Sequence, residues 1–330
     1  MTTPDDVSRY LKAYIPSSES SSNPPIFIPT GLYIATMQFK GPYKVQLSGY
    51  IWQRYANDVP EDIHRGVEFP ESEYTRVEQV YSGQQGDEQL IGSSFRVTLR
   101  EQFDYAKYPL GRQQIWVLLW HPDFENDVYL EPDLESYTTL DPASLPGLDG
   151  NVVLENWKLQ QSFFSFRDNR YNTNFGVQGY APQEKQPELY YNVSIKRHLL
   201  DVVVSRAIVP LVILIQLFVL VMVMGTNQER LDKFGVRPGG IIFTCAAFCF
   251  AVLLAQNSLR SELDAGGLVY FESLYILTYL VILAVAVNSV LLVSHPNSKL
   301  FREYDNLLAK VVYWPAILLA LVVVTLLVFS

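Results

Sequence analysis

Four apolar runs follow residue 200: Ala207 to Met224, Ile241 to Ala255, Leu268 to Val293 and Val311 to Phe329. Before residue 200 no segment stays apolar for long. The first, third and fourth runs reach the ~18 apolar residues that a free-standing bilayer helix needs. The second falls short, and is bounded by Arg237-Pro238-Gly239-Gly240 and Gln256-Asn257-Ser258. Small or polar ends on a short span suit a helix that its neighbours screen from lipid and that faces something wetter. The chain therefore reads as half water-exposed and half membrane, with spans expected at about 200–224, 238–260, 268–293 and 311–329.

Charge divides in the same way. Eight of the 25 Lys/Arg and eight of the 34 Asp/Glu lie beyond residue 200, so the first part holds 17 basic and 26 acidic residues and the whole formal charge of −9. An acidic surface argues against nucleic acid as a partner and concentrates cations near any pore it surrounds; solvation of the domain is the simpler use of the same charge. The only cysteines, Cys245 and Cys249, stand four apart inside the second run, where a helix stacks them without the geometry of a disulfide. His64, His121, His198 and His295 are scattered and have no metal-site spacing. No nucleophile motif or phosphate loop is present, so an enzyme is not expected, nor is a cofactor.

Residues 1–25 form a separate N-terminal segment: DDVSRYLKAYI reads as a short helix and PSSESSSNPP as a flexible linker. There is no basic start followed by an apolar core, so this segment is not a signal peptide; because the strand-rich part is expected outside, the chain reads as a fragment lacking a signal and an upstream domain, with a native start that uses an internal span for export as the alternative. Residues 26–198 have the texture of strands. The runs GLYIATMQF, YKVQLSGYIWQRY, SSFRVTLREQF, QQIWVLLWH, DVYLE, NVVLENWKL and LYYNVSIKR are β-branched and aromatic, with Gly, Pro, Asp and Asn between them. They predict an immunoglobulin-like all-β sandwich of about ten strands, followed over residues 199–330 by a bundle of four membrane helices.

Orientation comes from the connectors. Arg230, Lys233 and Arg237 lie between the first two spans and Lys299, Arg302 and Lys310 between the last two, whereas Arg260 is the one basic residue between the second and third. Basic connectors stay in the cytoplasm. The sandwich, a short loop from Ser258 to Gly267 and the C-terminus are thus expected on the outer face.

Specific residues then carry a resemblance. Phe103-Asp104-Tyr105-Ala106-Lys107-Tyr108-Pro109-Leu110-Gly111-Arg112-Gln113 resembles the Pro-loop of pentameric ligand-gated ion channels, the Cys-loop receptor superfamily, although Gly111 stands where that family usually has Asp. The flanking cysteines are missing, as in the prokaryotic branch. Val67-Glu68-Phe69-Pro70-Glu71 with Tyr74 resembles the first binding loop, Trp52 the aromatic of the second strand and Trp157 a Trp of the ninth. Ile195-Lys196-Arg197 is similar to the segment leading into the first span, and Pro210 to that span's proline. The resemblance implies a homopentamer in a bacterial inner membrane, with its sandwich and both termini on the periplasmic side. Its partners would be its own copies, membrane lipid, permeating monovalent ions and an unidentified small extracellular agonist.

Physics allows the same assembly, since a ring of identical helices hides a water-filled path from lipid with one modest helix per subunit. The family register taken from Asn257-Ser258-Leu259 implies that Gly239, Phe243, Ala246, Phe250, Leu253 and Asn257 face the pore. Their steps of three and four follow one helical face. Phe243 and Phe250, two turns and roughly 10 Å apart, are expected to form hydrophobic gate rings; ordinary packing between helices is the competing use of that bulk. The inner-mouth acid of cation-selective relatives falls on Gly235 or Val236, with Arg237 next, but Glu229, Asp232 and the acidic outer part favour cations.

The resemblance also implies a coupling joint that includes Asp104, Tyr108, Pro109, Arg197 and Arg260, with an Asp104–Arg197 pair. It implies an agonist cleft drawing on Trp52, Phe69, Tyr74, Arg76, Tyr137, Tyr171, Phe175 and Tyr180, whose aromatics suit an amine and whose arginine suits an acid. Two acidic groups run through Glu68 and Glu71 and through Glu131 and Asp133; those four residues are candidate ligands for a modulatory Ca²⁺. Neither group has a recognised calcium spacing, and solvated acidity is the alternative. A membrane-anchored periplasmic sensor without ion conduction is the alternative function.

Overall fold

The computed structural model describes residues 3–14, 25–123, 126–176, 186–225, 237–264, 266–294 and 306–330. It divides into two compact units, one of residues 1–103 with 112–196, the other of residues 104–111 with 197–330.

The first unit opens with helix α1, Pro4–Tyr14, whose first turn carries Asp5 and Asp6 where the helix dipole favours negative charge. Val7 and Leu11 are buried, and Tyr10 stacks on Phe166 at 5.1 Å while its hydroxyl donates to Asp168 at 2.6 Å. Eight strands follow among the described residues: β1 (Ile26–Gly41), β2 (Lys44–Ala56), β3 (Ser72–Gln85), β4 (Glu88–Arg100), β5 (Arg112–Leu119), β6 (Val128–Pro132), β7 (Trp157–Asn169) and β8 (Gln186–Arg197). They form a five-stranded sheet in the order β3-β4-β2-β1-β6 and a three-stranded sheet in the order β5-β8-β7.

Alternation does much of the work. Along β2, Val45, Leu47, Ile51 and Tyr55 are buried while Lys44, Tyr50 and Ala56 are exposed. Aromatic rings join the two sheets: Phe39 of β1 stacks on Trp157 of β7 at 5.3 Å and meets Phe103 at 6.0 Å. Burying a side chain as large as Trp157 stabilises the unit by roughly 2–3 kcal/mol.

Two expectations are corrected here. The NVVLENWKL run is not a strand before Trp157; β7 begins there and continues to Asn169. And Ser72–Gln85, which carries no strand signal, is a strand, because it forms the sheet edge and is exposed along nearly its whole length, leaving no apolar alternation.

In the second unit four helices are long and apolar enough to cross a membrane: α2 (Leu199–Val223), α3 (Gly239–Leu263, with Pro238 as its first residue), α4 (Glu272–Ser294) and α5 (Leu307–Phe329). The chain is thus a β-rich N-terminal part followed by a multi-pass membrane part. Pro238 opens α3 because its ring presets the helical φ and its missing N–H is not needed in the first turn. The helix runs on past Ser258 and stops only at Asp264, in the left-handed region at φ 45°. The expected loop from Ser258 to Gly267 is therefore helical through Leu263, and Arg260 stands on the helix. Charge misled the reading: Arg260 and Glu262 look like loop residues, but each has an ionic partner that lets it stay helical.

Candidate functional site

The face of α3 is the first candidate. Ile241, Cys245, Val252, Leu259 and Leu263 are buried against the rest of the chain, a stripe at helical spacing. Gly239, Phe243, Ala246, Phe250, Leu253 and Asn257 are all exposed. At about 100° per residue, the two-residue offset from Ile241 to Phe243 or from Val252 to Phe250 is about 200°. The six residues therefore lie opposite the stripe that anchors the helix. Phe243 and Phe250 are 77% and 62% exposed, more than any other large side chain on this helix, and the face carries no charge from Gly239 to Asn257. Phe248, about 20° round the helix from Ile241, is half-buried beside the anchoring stripe, and Cys249 is half-buried on the flank.

At the Arg260 end of this helix lies a network of ion pairs. Arg197 Nη1 donates to Glu262 Oε1 at 3.1 Å, and Arg206 of α2 donates to Glu262 Oε2 and, at 2.8 Å, to Ser258 Oγ. Arg260 grips Glu272, whose second oxygen accepts the Val269 N–H at 3.1 Å. Residues 104–111 belong to the same unit. Tyr270 N–H donates to the Ala106 carbonyl at 2.8 Å, and Tyr108 meets Phe271 edge-on at 6.4 Å. The Arg197 guanidinium lies 4.8 Å from the centre of the Tyr108 ring. Asp104 accepts the Ala106 N–H at 2.8 Å, which fixes the turn that leads to the cis peptide before Pro109. Glu262, absent from the sequence-based set, is the residue that joins the two arginines; its signal was the acid five residues beyond Asn257, read there as loop.

The aromatic candidates separate into different places. Trp52 and Tyr137 meet at 5.8 Å, with the Trp52 indole N–H donating to Asp133 at 2.8 Å and the Tyr137 hydroxyl donating to the Leu32 carbonyl at 2.8 Å. Burial pushes the Tyr137 phenol well up. Tyr171 and Phe175 meet each other at 5.3 Å and both meet Trp120, at 5.5 and 5.9 Å, edge to face. The Tyr171 hydroxyl donates to Glu188 at 2.8 Å. Burial raises the Glu188 carboxyl pKa above its ordinary value. Trp120, Tyr171 and Glu188 line a cavity of about 110 Å³ together with His121, Asp123 and Asn126. Two rings, Trp120 and Tyr171, beside a carboxylate in one cavity suit an organic cation.

Trp120 was missed. It ends the QQIWVLLWH run, where it counted as strand rather than site, although the following His-Pro step announces a turn. Phe69 is not a cleft residue: it is 3% exposed and packs on Phe95 at 5.3 Å, as core. Tyr74 is half exposed, and Arg76 is held by Glu78 at 2.6 Å. Tyr180 lies outside the described residues.

The four acids proposed for calcium do not assemble within one chain. Among the described residues no three His, Cys, Asp or Glu side chains are grouped so as to hold a metal. Asp133 is buried and committed to Trp52, Ser136 and, at 2.9 Å, Arg54 Nε. Glu131 is half-buried with its pKa raised by burial, while Glu68 and Glu71 are exposed on another segment.

No protein-family model matches the chain, and no curated protein matches it.

Proposed function

We propose that five copies of this chain form a ligand-gated, cation-selective ion channel in which α3 lines the pore. The observation that carries the reading is the uncharged face of α3, with two well-exposed phenylalanines, set opposite the stripe that anchors the helix. A helix in lipid gains nothing by turning Gly239 and Asn257 outward, whereas a ring of such faces encloses water and a ring of phenylalanines closes it by dewetting. The sandwich of the β-rich part, on the periplasmic side, receives the agonist, and the Trp120, Tyr171 and Phe175 rings beside Glu188 favour an amine. Agonist binding would be relayed to α3 through residues 104–111 and the Glu262 network.

Planar-bilayer recording of the purified protein, across pH and a panel of small amines, tests this. Amine-evoked cation current that is lost in Trp120→Leu supports it, with native mass spectrometry returning a pentamer. A pentamer that binds an amine yet stays silent points instead to a membrane-anchored sensor.

A further inference from the structure

The exposed face of the five-stranded sheet holds a second, separate concavity of about 340 Å³. Its shape comes from a bulge in β1. Ile34 pairs with Gly49 and Thr36 with the next residue, Ser48, so Ala35 is extra and has no partner on β2. Such a bulge bends the strand and re-aims the side chains around it. The bend is pinned from outside the sheet: Ile34 N–H donates to Gly147 O at 2.8 Å, and Asp149 N–H to Ile34 O at 2.9 Å. Gly147 is required there, because its φ is +76° and a Cβ would come within 2.7 Å of the Leu32 carbonyl.

Above this floor lie two groups without a side-chain partner among the described residues. Arg96 of β4 sits between Arg76 of β3 and Ser48 of β2 in register, and Ser94 between Glu78 and Tyr50. Like charges directly opposite each other cost stability, and Glu78 relieves only one of the two, since Arg76 spends both Nε (2.8 Å) and Nη2 (2.6 Å) on it. Arg96 is exposed and has neither an ion pair nor a side-chain hydrogen bond among the described residues. The Tyr50 hydroxyl, on a ring 47% exposed, is equally without a partner among them. A planar guanidinium fork and a phenolic O–H one register step apart, over an uncharged floor of Ala35 and Gly49, match a carboxylate: two N–H donors to its oxygens and a third from the phenol. Lys44, further along the same sheet, is paired with Glu73 at 2.7 Å.

We propose that this concavity binds a small organic monocarboxylate, held by Arg96 and Tyr50, with Arg76 kept in reserve by Glu78. The site is distinct from the amine cleft at Trp120 and does not depend on the protein being a channel. Its cation stands out in a part of the chain where acids outnumber bases, which steers an anion to this point and not to the surface at large.

The test is titration of the detergent-purified full chain with benzoate, by calorimetry and by ligand-observed NMR, with benzamide as the uncharged isostere. Benzoate should bind in the millimolar range or tighter and benzamide at least about tenfold more weakly. Benzoate binding should weaken as NaCl is raised from 50 to 500 mM. Arg96→Gln should reduce benzoate affinity about tenfold or more, and Tyr50→Phe several-fold, with melting temperatures unchanged because neither group holds the fold together. Arg96→Lys, which keeps the charge without the fork, should fall between wild type and Arg96→Gln. Benzoate that fails to bind at 20 mM, binds no better than benzamide, or binds Arg96→Gln and Tyr50→Phe as well as the wild type overturns the proposal.

Discussion

The Tyr275 hydroxyl of α4 donates a hydrogen bond of 3.1 Å to the carbonyl of Arg206 in α2. That carbonyl is the one whose ordinary helical donor would be the N–H that Pro210 lacks. A π turn, Val203–Ala207, immediately precedes, so the first span loosens its ladder at this point and a neighbouring helix repairs it. Tyr275 is fully buried, leaving no water to substitute for it.

Tyr275→Phe should therefore destabilise the detergent-purified protein by about 1–2 kcal/mol, read as a lower melting temperature. The loss should shrink in a Pro210→Ala background, where an amide donor returns to the carbonyl. A double-mutant cycle tests this: equal losses in the two backgrounds would show that the hydroxyl and the proline are unrelated.

Glu262 holds two cations at once. Its partner Arg197 has a side chain only 10% exposed, whereas Arg206 and Glu262 are more open, at 24% and 33%. Removing the carboxylate leaves a nearly buried guanidinium short of its anion, so Glu262→Gln should cost about 1–2 kcal/mol after solvent screening of the more open pair. Arg197→Gln should cost less in a Glu262→Gln background than alone. Additive losses in that cycle would mean the two side chains do not act as a pair.

Glu101 gives a pH dependence. It is 5% exposed, its Oε1 accepts the Trp116 N–H at 2.8 Å, and burial pushes its pKa from 4.5 to about 8. The folded state thus holds a proton that the unfolded state has already released between those two values, and stability falls as pH rises through that window. His121, buried and lowered from 6.5 to about 4, acts in the opposite sense and only below 6.5. Between pH 6.5 and 8 His121 therefore does not contribute, and Glu101 supplies on the order of 2 kcal/mol, in the same sense as Glu71, Glu131 and Glu188, whose pKa values burial also raises. Glu101→Gln, which keeps an acceptor for Trp116, should flatten the decline of melting temperature over pH 6.5–8.5. A variant that declines in parallel with the wild type would place the titration elsewhere.

How far such relationships were legible in the sequence depends on whether chemistry or topology carried them. The four spans and most strands were visible, because apolar length and alternation are local properties, as in β2 and α4. The exposed edge strand β3 was not, since a strand with two wet faces looks like a loop. The end of α3 was misplaced because the partners of Arg260 and Glu262 lie on other elements, Glu272 on α4 and Arg197 at the end of β8. Phe69 and Trp120 changed places for a related reason: whether an aromatic ring is core or cleft depends on what packs over it, Phe95 in one case and Tyr171 in the other. The Ala35 bulge is a matter of register between strands, which composition does not encode.

Phe250 carries the sharpest prediction of the pore reading. With five copies around an axis, rings of Phe243 and Phe250 about two turns apart would each narrow the path, and a constriction lined only by apolar carbon excludes water without any charge. Truncating one ring should lower that barrier more than truncating a phenylalanine beside the anchoring stripe of the same helix. Phe250→Ala is therefore expected to raise agonist-free current in planar bilayers several-fold, Phe243→Ala to a similar degree, and Phe248→Ala, half-buried beside the anchoring stripe, far less. The double variant should exceed either single one. If Phe250→Ala and Phe243→Ala assemble normally and leave no more current than Phe248→Ala, the exposed phenylalanines pack between neighbouring subunits and the gate lies elsewhere along α3.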